Sequence, residues 1–351
     1  MNTDAQRLAG LLRRLGANED EITEALTAGL AGPFAVSLVL RSGPPVTVTA
    51  AAEAAGSTQQ EFLRFWHALG LATPEPGASI VPADLVASLP IISSATREWL
   101  GEDNALGLAR VVGSTAARLA EALVDSFRVG FEMPQLSAGA DYPDVVEQYV
   151  DMTQLALPAF EELLAAVIKA HLVRVAAGAW SPDVANMAAR RDLFVAFVDL
   201  SGYTALAGTI TPAKLAAMLA RFEDIVGAVV TGRGGRLVKL IGDGAMFVCD
   251  SADDGCAVAM ELSDRLADDD SVPAARIGAD HGSVLSLSGD YYGDVVNRAA
   301  RLVAVARPGT IVVSDAIATT VRTKAFGLER LPEQALKGFD APAVTYRLVG
   351  R

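Results

Sequence analysis

Phe194-Val195-Ala196-Phe197-Val198-Asp199-Leu200-Ser201-Gly202-Tyr203-Thr204 is an apolar, strand-like run that ends on a carboxylate and turns on a glycine. A second stretch, Leu237-Val238-Lys239-Leu240-Ile241-Gly242-Asp243-Gly244-Ala245-Met246-Phe247-Val248, sets another carboxylate between two glycines in apolar surroundings. A carboxylate at the end of a buried strand is costly unless compensated, and a bound cation is the usual compensation. Two of them suit a pair of magnesium ions, which bind through one or two carboxylates plus substrate phosphates. A third stretch, Gly289-Asp290-Tyr291-Tyr292-Gly293-Asp294-Val295-Val296-Asn297-Arg298-Ala299-Ala300-Arg301, supplies an amide and a guanidinium one helical turn apart. Together the three imply an enzyme acting on a nucleoside triphosphate.

Outward from these stretches, the pattern alternates. Leu193–Leu200 reads as a strand, and Pro212–Val230 as a helix with Thr211 as N-cap and proline at its first position. Arg236–Ile241 and Ala245–Cys249 read as strands joined by a Gly242-Asp243-Gly244 hairpin. A helix over Asp253–Leu266, a strand-rich Ala275–Leu287, a helix over Val295–Ala306 and a strand over Thr310–Val313 complete the series. The β-α-β-β-α-β order predicts an α+β, ferredoxin-like domain over residues 186–351.

Residues 1–185 read instead as an all-α domain. Asp20-Glu21-Ile22-Thr23-Glu24-Ala25-Leu26 places acidic residues in a first turn, where the helix dipole favours them. Val46–Ser57 followed by Gln59–Leu71, with Phe62, Phe65, Trp66 and Leu69 on one stripe, has the outline of a helix-turn-helix or winged helix (46–71). Further amphipathic segments span Ala105–Phe127 and Tyr142–Ala177; Pro158 makes the latter two helices or one kinked helix. Trp180-Ser181-Pro182-Asp183 reads as a stop and linker.

A chain of 351 residues, 51% apolar, is long enough for two cores. Its net charge of −13 speaks against a nucleic-acid surface, and the helix-turn-helix span contains Arg64 as its one basic residue besides His67. A DNA-binding regulator is therefore the weaker class. Cys249 and Cys256 are expected to be buried, reduced thiols. The polar opening Met1-Asn2-Thr3-Asp4 and the want of an 18-residue apolar run predict a cytoplasmic protein with no membrane insertion.

Residues 191–349, through the three quoted stretches, resemble the catalytic domain of the class III nucleotidyl cyclases, which turn ATP into cyclic AMP and pyrophosphate. The resemblance implies that Asp199 and Asp243 hold two divalent ions, magnesium or manganese, with Phe197, Gly202 and Thr204 completing the first motif. It implies that Lys239 and Asp290 read the base. A carboxylate and an ammonium complement the amine donor and ring-nitrogen acceptor of adenine but mispair with guanine, so ATP is the expected substrate. Asn297 would orient the ribose and Arg301 would neutralise transition-state charge; Lys337, in Leu336-Lys337-Gly338-Phe339, falls near the family's second phosphate-binding lysine. Arg298 lies off that helix face and is expected at the surface or an interface. In this family the metal-binding set of one catalytic domain faces the base-reading set of another, so a homodimer is implied. A catalytically silent nucleotide sensor is the alternative. Diguanylate cyclases, whose hairpin carries adjacent acidic residues after two glycines, are disfavoured by Ile241-Gly242-Asp243-Gly244.

The first half more weakly resembles the helical regulatory domain of soluble bacterial cyclases, which responds to pH or lipid. That makes Pro158–Trp180 the expected transmission helix and a lipid or a proton the candidate effector. The apolar stretches Phe34–Leu40 and Leu155–Val167 are expected to form plain core, with a lipid pocket as the alternative. His67, His171 and His281 read as satisfied or surface side chains, with a protonation switch as the other option.

Overall fold

Phe194, Val195, Phe197 and Val198 favour extended backbone over 193–200, and the resulting strand is the axis of the second half of the molecule. The computed structural model describes residues 3–41, 43–75, 77–179 and 190–350. It divides into two compact units, Met1–Trp180 and Ser181–Arg351. The linker expected at Trp180-Ser181-Pro182-Asp183 lies outside the described residues.

The first unit runs α1 (Thr3–Arg14), α2 (Glu19–Thr27), α3 (Ala31–Val39), β1 (Val46–Thr47), α4 (Val48–Ala54), α5 (Gln59–Ala68), β2 (Ser79–Val81), α6 (Ala83–Leu100), α7 (Glu102–Phe127), α8 (Met133–Ser137) and α9 (Tyr142–Ala179). Capping boxes start two of these helices: Asn18 with Glu21 at α2, and Thr58 with Glu61 at α5. Leu8, Leu12, Ile22 and Ala35 pack with Val146 and Val150 of α9, while Phe62 and Trp66 pack on Ala51, Ala52 and Val81. The helix-turn-helix outline is thus α4 and α5 beside an antiparallel β1–β2 ribbon. The segment from Tyr142 is one helix of 38 residues with Pro158 inside it. Core was expected over Leu155–Val167, but Leu155 is 83% exposed and Leu163, Leu164 and Val167 are exposed too. The apolar positions there are too nearly continuous to fall on one buried stripe. Between α7 and α8 the chain widens into a π-helical turn, Arg128–Glu132. Beside it is a cavity of about 470 Å³ lined by Pro33, Val36, Phe127, Val145 and Tyr149, with Arg128 and Glu132 among its polar groups.

The second unit runs β3 (Arg190–Leu200), α10 (Tyr203–Ala207), α11 (Pro212–Gly232), β4 (Arg236–Ile241), β5 (Gly244–Cys249), α12 (Ala252–Ala267), β6 (Ala275–Leu287), β7 (Asp290–Tyr292), α13 (Asp294–Val305), β8 (Ile311–Ser314), α14 (Asp315–Thr320), β9 (Phe326–Arg330) and β10 (Thr345–Gly350). The sheet order is β4-β5-β3-β6-β8-β10-β9, with β7 paired to β6. β4, β5, β3 and β6 with α11 and α12 are the ferredoxin-like α+β unit; β8, parallel to β6, and then β10 and β9 extend it.

The two faces follow the period of 2 along β3. Phe194, Ala196, Val198 and Leu200 join Phe222 and Val226 of α11 and Val258 and Leu262 of α12. Leu193, Val195 and Phe197 join Met246, Val284 and Ala299 on the other face. Asp199 belongs to this second face by the same alternation. Helix α13 lies directly on it: a Cβ at Gly278 of β6 would come within 2.0 Å of the Val303 backbone nitrogen. Cys249 and Cys256 are free and buried in the first face. Among the described residues no helix is long and apolar enough to cross a membrane.

Candidate active site

Strand pairing joins the two aspartates. Asp199, at the end of β3, is in register with Gly244, and the Leu200 N–H donates to the Asp243 carbonyl at 3.1 Å. Gly244 permits this approach, since a Cβ there would meet the Val198 carbonyl oxygen at 2.8 Å. Burial pushes the Asp243 carboxyl above its usual value and the nearby Asp199 charge adds to this, while its own backbone N–H and Arg276 oppose it.

Arg276 did not emerge from the sequence as a site residue. It lies on β6 opposite Asp199, and its Nε and Nη2 donate to Asp199 Oδ2 at 2.8 and 2.6 Å. An arginine in a strand is an unremarkable residue until the β3–β6 register places it across from a carboxylate. Among the described residues no group of three or more His, Cys, Asp or Glu forms a closed metal cage. Two carboxylates on adjacent segments are a hard-oxygen donor set that leaves positions for water and phosphate, which fits magnesium or manganese.

A second cluster follows from β7. Lys239 of β4 and Asp290, the first residue of β7, form an ion pair across 51 positions of chain. Asp290 Oδ1 also accepts from the Tyr291 N–H at 2.8 Å. Behind it, Arg236 donates to the Tyr291 hydroxyl and stacks its guanidinium 5.1 Å from the ring centroid. The pair is therefore held by a neighbouring clamp that the sequence did not reveal, because Arg236 and Tyr291 meet only through the sheet.

Asn297 and Arg301 lie on α13, whose first turn is closed by the Asn297 N–H donating to the Gly293 carbonyl. They line a cleft of about 360 Å³ with Asp294, Lys337, Gly338, Phe339 and Asp340. Lys337 is thus brought to Asn297 and Arg301, whereas Asp199 and Asp243 do not line this cleft. Phe197 is half-buried on the α13 face, Gly202 takes φ +78° at the start of α10, and Thr204 is exposed on that helix. Arg298, expected at the surface or an interface, is partly exposed and also reaches a buried group: Nη1 is 3.6 Å from Asp280 Oδ2 and the guanidinium lies 5.1 Å from the Phe339 centroid. His67 is exposed with a ring nitrogen 2.9 Å from the Thr73 hydroxyl, His171 is exposed, and His281 is half-buried on β6.

The family described as the adenylate and guanylate cyclase catalytic domain matches residues 186–350. An uncharacterized protein of Mycobacterium tuberculosis is 34% identical over 97% of this chain and 90% of its own length. An adenylate cyclase of Streptomyces coelicolor is 32% identical, over 87% of this chain and 76% of that protein. One of Streptomyces griseus is 31% identical, over 80% and 70%. With that similarity extending well beyond the matched domain, the chain belongs to the class III adenylate and guanylate cyclase family and is an enzyme of the nucleotidyl cyclase type.

Proposed function

We propose that this protein is an adenylate cyclase, forming 3′,5′-cyclic AMP and pyrophosphate from ATP. The observation that carries the base choice is the Lys239–Asp290 ion pair. A carboxylate accepts from the adenine amine and an ammonium donates to its ring nitrogen; guanine would set carbonyl against carboxylate. Curated relatives called adenylate cyclase support the same choice.

Asp199 and Asp243 would hold two divalent ions, with Phe197, Gly202 and Thr204 shaping the approach of the phosphates. Bound there, the ions supply Lewis acidity for the ribose 3′-hydroxyl and screen the departing pyrophosphate. Asn297 orients the ribose so that the 3′-oxygen faces the α-phosphorus in line with the leaving group. Arg301 meets the charge that grows on the phosphoryl oxygens, and Lys337 binds phosphate beside it. Arg276 keeps one Asp199 oxygen engaged and leaves Oδ1 on the Gly244 side.

The working form is a homodimer with two sites. The cleft lined by Asn297, Arg301 and Lys337 lacks Asp199 and Asp243, so a second copy would bring them. Ile241, Leu287 and Tyr292 are about half exposed around the Lys239–Asp290 pair, an apolar surface suited to that partner. The N-terminal domain read over 1–185 regulates the catalytic domain read over 186–351 through Pro158–Trp180; the first unit's apolar cavity, with Arg128 at its lining, suits an amphipathic lipid more than a proton.

Product analysis tests the reading. Full-length protein with Mn-ATP is expected to release cyclic AMP, with Mn-GTP to release little cyclic GMP, and Asp199→Ala to release neither. Equal turnover of both nucleotides would refute the base assignment, and unaltered turnover by Asp199→Ala the metal role.

A further inference from the structure

Asp280 is a carboxylate 1% exposed in the middle of β6, and no part of the proposed chemistry uses it. Its Oδ1 accepts from the Ser314 hydroxyl and from the His281 N–H at 2.8 Å, whereas Oδ2 has no hydrogen bond and faces Arg298 Nη1 at 3.6 Å. The Arg298 guanidinium in turn carries the Phe339 ring at 5.1 Å. Phe339 closes a tight turn, its N–H donating to the Leu336 carbonyl at 3.1 Å, and Gly338 within it takes φ +90°. Leu336 is buried against Leu302 and Val312, so both ends of the turn are pinned and Lys337 projects from its middle into the cleft of Asn297 and Arg301.

We infer that Asp280, Arg298 and Phe339 form a strut that fixes the Lys337 turn over α13, making Arg298 a positioning residue for the triphosphate side of the site. The inference rests on the proposal that this cleft takes the substrate phosphates. A buried carboxylate justifies its desolvation here by anchoring a guanidinium whose flat face, not its charge alone, supports the ring. An ammonium at the same position would keep the charge toward Asp280 and lose the face.

The test is steady-state kinetics of the full-length protein with ATP, and inhibition by inorganic triphosphate as a base-free probe. Arg298→Lys and Phe339→Leu are each expected to raise KM and the triphosphate inhibition constant about three- to tenfold, with kcat within about twofold. The double variant is expected to be no worse than either single one, since the two residues act through one contact. Additive effects, or a loss confined to kcat, would overturn the strut. If Arg298→Lys lowers the melting temperature, Phe339→Leu, half-exposed and apolar for apolar, carries the same decision. Lys337→Ala separates the underlying reading: unchanged KM there removes Lys337 from the substrate site, and the strut's role with it. A raised KM in Lys337→Ala beside normal KM in Arg298→Lys and Phe339→Leu refutes the strut alone.

Discussion

At the scale of single residues, the costliest positions are buried groups and close backbone contacts. Burial pushes the Asp280 carboxyl above the ordinary carboxylate value, while the Ser314 hydroxyl, the His281 N–H and Arg298 oppose it without prevailing. The folded state therefore holds this proton more tightly than the unfolded state, so the residue's contribution to stability falls as pH rises through the carboxylate range. The melting temperature of Asp280→Asn relative to wild type is expected to move in the variant's favour between pH 4 and pH 7. A constant difference would show that Asp280 carries no such penalty. Burial likewise pushes the Cys249 and Cys256 thiols up to about 12. Both stay protonated at pH 8, so native protein should resist iodoacetamide and label only on unfolding, as read by intact mass. Gly278→Ala would drive a methyl into the backbone of α13 at Val303 and Leu302. Overpacking of this kind costs about 3 kcal/mol, a loss of roughly 6 to 12 °C in melting of the second unit.

At the scale of elements, the helices carry their own start signals and the sheet carries its periodicity. Asn18 and Glu21 bond reciprocally at the start of α2, so Asn18→Ala should cost about 1 kcal/mol in urea unfolding followed at the first unit. An unchanged midpoint would mean that water caps the helix as well. The same local signals made β3, α11, the Gly242-Asp243-Gly244 hairpin and α12 legible, because alternation, capping and turn chemistry are written within a few neighbouring residues. β9 and β10 were not read from the sequence: they pair across an intervening loop, a partnership that no local pattern announces. Asp199, Asp243, Asn297 and Arg301 are nominated by local motifs, whereas Arg276 and Arg236 are not. Their meaning comes from strand register and from cross-strand neighbours, which no local pattern encodes. The Asp280 partner of Arg298 was hidden for a related reason: helical spacing says which face a side chain leaves from, not which buried carboxylate a long one reaches.

At the scale of the whole molecule, the proposed dimer makes a sharp prediction. Asp199→Ala and Arg301→Ala should each be inactive alone, yet co-expressed they should recover activity, up to about a quarter of wild type, because a mixed dimer keeps one site free of both lesions. No recovery, with mixed dimers shown by differential tagging, would place the whole site within one chain. On the proposal that a second copy brings Asp199 and Asp243 to the cleft of Asn297, Arg301 and Lys337, the amount of product would depend on how many copies meet. Wherever most copies are single, assembled sites grow as the square of the amount of protein, so a doubling of synthesis lifts output roughly fourfold. Gene dosage and protein turnover would then act as a gain control on the signal, before any effector reaches the first unit.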